Sequence, residues 1–176
     1  MVAVRGWLRR PVTWVVLGVL TLAGGALGLL LFEPWKLVVD DTVDEVAPVA
    51  SASALAVPGG GTALLAQGDF ISHEHGTSGR AYVFRLADGS RVLRLENLNT
   101  SNGPDLHVWI TDAPVREGTA GWRVFDDGAY TPLGKLKGNK GSQNYALPAS
   151  VDLATQRSVT IWCDRFNVSF GAAALS

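Results

Sequence analysis

The chain holds a single cysteine, Cys163, within "VTIWCDRFNVSFG" (159–171), and three histidines, His73, His75 and His107. These side chains could carry electrons or protons, or hold a soft metal. Val159, Ile161 and Cys163 alternate as one face of a strand does, which puts the thiol in phase with apolar neighbours. Two readings of Cys163 follow. Free cysteines commonly pack in cores as small hydrophobes. Alternatively, the strand breaks at Asp164-Arg165, so the thiol lies near a rim where the Arg165 guanidinium could lower its pKa and release thiolate. Such a thiolate would oxidise reversibly to a sulfenic acid or a mixed disulfide. Phe166, Val168 and Phe170 alternate one step out of register with Ile161 and Cys163. A bulge or tight bend is therefore expected between Cys163 and Phe166.

His73 and His75 alternate in "SHEHG", so on a strand they share a face, and His107 lies on the Trp109 side of "DLHVWIT". His107 and His75 are the candidate proton acceptors for the thiol. Two imidazoles and a thiolate make a blue-copper ligand set, but such domains place a histidine, and often a methionine, soon after the cysteine. No histidine follows Cys163 and the only methionine is Met1. Zinc would need His73, His75, His107 and Cys163 to converge. Neither a metal nor a cofactor is expected. A haem or metal at Cys163 is the remaining alternative, without any C-x-x-C-H for covalent attachment. "TSNGPDLHV" (100–108) reads as a turn, with Asp105 orienting His107 or binding a cation as the functional alternative. Lys135, Lys137 and Lys140 in "GKLKGNKGSQNY" read as a solvated loop, because no Gly-Lys-Ser/Thr closes it as in a phosphate-binding loop. No G-x-S-x-G, C-x-x-C or H-E-x-x-H supports hydrolysis or dithiol exchange.

The elements that must position these residues read as strands. "RAYVFRL" (80–86) and "RVLRLEN" (91–97) flank Asp88-Gly89 as a hairpin, Leu106, Val108 and Ile110 alternate in the next strand, and "SVTIWC" and "NVSFG" close the chain. No stretch of this region has helical periodicity, and an antiparallel β-sandwich is expected over residues 62–176. From Thr62 onward, eleven Lys/Arg face eleven Asp/Glu, so the region has no electrostatic footprint for nucleic acid.

Upstream lies a different kind of segment. Residues 12–32, "VTWVVLGVLTLAGGALGLLLF", carry no charge; as a helix at ~1.5 Å per residue they span ~31 Å, the thickness of a bilayer core. Arg5, Arg9 and Arg10 precede them and the acidic Asp40, Asp41, Asp44 and Glu45 follow, so residues 1–11 are expected in the cytoplasm and the rest outside. Glu33-Pro34-Trp35-Lys36 follows the apolar stretch where a signal peptide would have a small-residue cleavage site, which favours an uncleaved anchor in the lipid bilayer. Residues 33–61, with "APVASASALAVPGGG", read as a flexible spacer whose acidic start is repelled from an anionic membrane. The preference for arginine over lysine and the Ala/Gly/Val/Leu-rich composition suggest a bacterial plasma-membrane protein.

Taken together, Gly68-x-Phe70, "HGTSGRA" from His75, "RLENLNTSNGPDLHVWI" (94–110), "LGKLKGNKGSQNYALP" (133–148) and "VTIWCDRFNVSFGAAAL" (159–175) resemble the DM13 domain family, in the expected order. The resemblance implies an extracytoplasmic redox or electron-transfer role centred on a cysteine, here Cys163, acting as a thiol or holding a prosthetic group, with a partner outside the cytoplasm. The alternative is a non-catalytic cell-surface binding or adhesion module with Cys163 in its core.

Overall fold

The computed structural model describes residues 11–37, 39–48 and 62–176. The expected cytoplasmic segment lies, except for residue 11, outside the described residues, as does the Ala/Pro/Ser/Gly stretch 49–61.

Helix α1 runs from Pro11 to Phe32. Proline suits the first helical position, where its missing N–H leaves nothing unsatisfied. Thr21 Oγ1, within the helix, donates to the Leu17 carbonyl at 2.9 Å, so this polar group needs no water. The helix is long and apolar enough to cross a membrane.

Lys36–Ser176 form a second unit. It is built from β1 (Thr42–Asp44), β2 (Ala63–Ser72), β3 (Ser78–Arg85), β4 (Arg91–Asn99), β5 (Leu106–Thr111), β6 (Tyr130–Lys135), β7 (Lys140–Leu147), β8 (Ser158–Cys163) and β9 (Val168–Ala174). These make one nine-stranded sheet in the order β1-β7-β4-β3-β2-β9-β8-β5-β6. The expected antiparallel sandwich is thus corrected to a curled, half-barrel mixed sheet. The reason lies in β2: its residues 63–69 pair with β3, while Phe70–Ser72 pair with β9, so one strand joins both halves. The β1–β7 pair is parallel.

The β3–β4 hairpin forms as its sequence implies. Gly89 adopts φ +83° at the turn, and Asp88 Oδ1 accepts the Ser90 N–H at 2.9 Å. On the inner side of the curl, Val83, Leu93, Leu95, Leu98, Val108, Ile110, Val159, Ile161, Cys163 and Val168 share one apolar cluster. The step from Leu95 to Leu98 breaks the alternation, and Asn97 at φ +50° absorbs the extra residue as a bulge. A second cluster, on the outer face, joins Trp109, Ala113, Phe125, Trp162 and Ala172. The chain between β5 and β6 covers this face.

Two expectations from sequence change here. The lysine-bearing segment is not an open loop: Lys135 ends β6 and Lys140 begins β7. The acidic start of the spacer is docked rather than free. Thr42–Asp44 lie along Lys140–Ser142, Asp40 meets Lys140 Nζ at 2.6 Å, and Glu45 meets Lys137 Nζ at 2.7 Å. The same Asp and Glu side chains that looked like a repulsive run are matched to lysines far along the chain, a pairing invisible to local pattern.

Candidate site at the end of strand β8

Cys163 is the last residue of β8, opposite Leu106 on β5 and Val168 on β9. The expected bend after it is a turn over residues 164–167, with Asn167 at φ +53°. The two strands then pair with a shift between Ile161 and Trp162, where Gly171 passes Thr77 so closely that a Cβ would sit 2.5 Å from the Thr77 Cβ. Val168 and Phe170 enter the core as expected, whereas Phe166 is 42% exposed on the turn.

The turn wraps the sulfur. Cys163 has no exposed surface, and burial pushes its thiol above the ordinary value. Backbone hydrogen bonding from Phe166, Arg165 and Asp105 partly offsets the rise, while the Asp105 charge adds to it. The balance is a thiol that stays protonated at neutral pH. Arg165 acts here through its backbone rather than its guanidinium.

A polar rim adjoins it. His107 Nε2 lies 3.0 Å from Asp105 Oδ1 and 3.6 Å from Asp164 Oδ2, and Lys135 Nζ lies 3.2 Å from Asp105. Partial burial opposes ionisation of Asp105, but hydrogen bonds from His107 and Lys135 outweigh it and hold its carboxyl below the usual range. The side chains of His107 and Asp105 are 18% and 26% exposed, so the rim reaches water although the sulfur does not. A polar hollow of about 90 Å³, lined in part by Asp105, Leu106, Lys135 and Asn139, opens beside it. "TSNGPDLHV" therefore does both things its sequence allowed: Asn102 Oδ1 accepts the Gly103 N–H at 2.9 Å in the turn, and Asp105 orients His107.

His73 and His75 do not share a face. β2 ends at Ser72, and the bend that follows sends the two rings to opposite sides of β9. His75 packs on Phe170 with ring centroids 3.9 Å apart and meets Glu74 at 3.8 Å. His73 is buried, with Nδ1 2.7 Å from Ser169 Oγ and Nε2 3.0 Å from the Arg116 carbonyl. A carbonyl only accepts, so Nε2 carries the proton and Ser169 donates to Nδ1. Burial lowers the pKa of His73, with the Arg116 bond partly opposing the fall. Among the described residues, the cluster with metal-binding spacing is Asp105, His107 and Asp164, without Cys163, His73 or His75. The four residues considered for zinc do not converge.

Sequence reasoning missed the outer face. Tyr130 stacks on Trp109 at 4.3 Å and 11°, Trp109 on Trp162 at 5.1 Å and 28°, and Phe125 meets Trp162 edge-on at 6.4 Å. The Trp162 indole Nε1 is buried without a partner, a cost of about 1–3 kcal/mol. The only sequence signal was the parity of Trp109 and Trp162, both out of phase with the inner face.

A family profile described as "Electron transfer DM13" matches residues 69–175. No curated protein and no solved structure matches the chain.

Proposed function

Because the chain belongs to the DM13 electron-transfer family, we propose that it is a membrane-anchored, extracytoplasmic electron-transfer module with the Cys163 sulfur as its redox centre. Residues 12–32 anchor it in the plasma membrane, with the basic N-terminus in the cytoplasm. The observation that carries this reading is a sulfur with no exposed surface at the end of β8, beside an Asp105–His107 rim that reaches water. Burial separates two kinds of redox chemistry. Disulfide exchange and sulfenic acid formation require a partner atom to reach the sulfur. An electron crosses packed protein without such contact. Cys163 thus exchanges electrons with its partner rather than atoms, which replaces the thiolate route suggested by sequence.

In the oxidising step the thiol gives one electron to an oxidised one-electron metal centre of the partner. Its proton passes to the Asp105–His107 pair at the wet rim, and the reverse step restores S–H. Close packing in the apolar cluster holds the sulfur in place, so little reorganisation accompanies transfer. His107 is the proton-handling residue. His75, packed on Phe170, is left out of this scheme.

The test is protein-film voltammetry on the intact chain in detergent. A reversible one-electron wave that disappears in Cys163→Ser supports the reading. Absence of a wave, or one that survives the substitution, removes it. The second reading, a tethered binding module, is favoured by the same complete burial of Cys163 and would be left standing by that result.

A further inference from the structure

The outer-face rings line up as a route between the surface and the interior. Tyr130 is 42% exposed, Trp109 is 5% exposed and Trp162 is fully enclosed. Each ring overlaps the next, at 4.3 Å and then 5.1 Å between centroids. Trp162 precedes Cys163 directly in β8, so the buried end of the stack is one residue along the backbone from the sulfur. Tryptophan, tyrosine and cysteine are the protein side chains most readily oxidised by one electron. An ordinary apolar cluster needs only volume, which aliphatic side chains provide; this one presents oxidisable rings in sequence from water to core.

We propose that Tyr130, Trp109 and Trp162 form an electron relay, through which a strongly oxidising one-electron acceptor at the exposed edge of Tyr130, such as a ferryl haem, draws electrons from the interior. The relay itself is read from ring geometry; its inner terminus at Cys163 rests on the function proposed above. An electron leaves Trp162, passes to Trp109 and Tyr130, and reduces the ferryl iron to ferric, its oxo group taking up two protons from the solvent and leaving as water. The partnerless Nε1 of Trp162 has a specific consequence. An indole that loses an electron normally loses its Nε1 proton to a neighbouring acceptor and becomes a neutral radical. Trp162 has no acceptor there, so the oxidised ring keeps its proton as a cation radical and can be refilled by an electron alone. The thiol of Cys163 then supplies that electron, with its proton going to the Asp105–His107 pair.

The test uses the full chain in detergent, with a ruthenium photo-oxidant attached at Ala129→Cys, an exposed position beside Tyr130. The background is Cys163→Ser, so that only one thiol is labelled and the relay is read without the sulfur. Flash oxidation should yield the absorption of a protonated tryptophan cation radical. Trp162→Phe should abolish that signal, and Trp109→Phe, which keeps a ring but not an oxidisable one, should slow its appearance at least tenfold. A radical that stays on Tyr130 or Trp109, or unchanged kinetics in Trp109→Phe, would overturn the relay. Circular dichroism of each variant separates misfolding from a lost pathway. If the relay works, a direct comparison addresses its inner terminus. The relay is triggered by a diffusing photo-oxidant in the unlabelled chain with Cys163 intact and in unlabelled Cys163→Ser. The Trp162 radical should decay faster with the sulfur present. Equal decay would leave the relay standing and sink Cys163 as its electron source.

Discussion

The two faces of β8 are made of different materials. Inward lie Val159, Ile161 and Cys163, aliphatic or nearly so; outward lie Ser158, Thr160 and Trp162. By alternation the outward set should meet water, yet every residue of β8 is buried. The two hydroxyls survive there because each finds a partner. Ser158 Oγ bonds the Ala113 carbonyl at 2.6 Å, and Thr160 Oγ1 lies 2.8 Å from Ser169 Oγ, which continues to His73. Burial without water therefore has two routes in one strand, apolar packing inside and a closed hydroxyl–imidazole chain outside. Only the outer route includes a gap, at Trp162 Nε1, and an imidazole that burial favours in its neutral form, His73.

That contrast can be broken most forcefully at Trp162. Trp162→Ala should cost about 3–5 kcal/mol in urea unfolding, because a fully buried indole leaves a cavity that its ring neighbours cannot fill. A loss under about 1 kcal/mol would mean the outer cluster is not a true core. Next comes Cys163→Ser, with an expected loss of about 1–2 kcal/mol, because a hydroxyl replaces a sulfur packed among Val159, Ile161 and Val168. Cys163→Val, which keeps the site apolar, should cost less than Ser if the sulfur packs as a hydrophobe, and more if backbone hydrogen bonding to the sulfur matters.

Thr160→Val probes the hydroxyl chain alone and should cost about 1 kcal/mol, since the shape is kept and one link to Ser169 is lost. The smallest effects are in pH dependence, one flank for each face. His73 has a lowered pKa in the fold, so the unfolded chain takes up the proton first. Stability should fall as pH drops below ~6.5, and His73→Gln should flatten that flank. Cys163 has a raised pKa, so the unfolded chain loses its proton first. Stability should decline as pH rises above ~8.5, and Cys163→Ala should flatten the alkaline flank. Denaturant midpoints across pH read both, and an alkaline flank unchanged in Cys163→Ala would contradict burial of the thiol.

Local pattern was enough for part of the molecule. The uncharged run of 12–32 makes a helix, Asp88-Gly89 makes a hairpin, and Leu106, Val108 and Ile110 face the core opposite Trp109, because each depends on neighbours a few residues away. The parity break after Cys163 and the orientation of His107 by Asp105 were legible for the same reason. The pairing of His73 with His75 failed because it assumed that β2 continues beyond Ser72. Asp164 in the rim and Tyr130 in the stack were missed, since residues 105, 164, 109 and 130 meet only through strand register.

By itself the sequence determined the apolar helix, the strand content, the inner-face side chains and the isolation of one thiol. Only the tertiary structure decided that the sheet is curled and continuous, that β1 docks along β7 with Asp40 and Glu45 paired to lysines beside it, that both faces of β8 are dry, and that the sulfur is sealed from water. The division has a physical cause. Alternation reports which side chains share a face, but whether that face is covered depends on segments distant in the chain, here the connection from β5 to β6 and the turn that closes over Cys163.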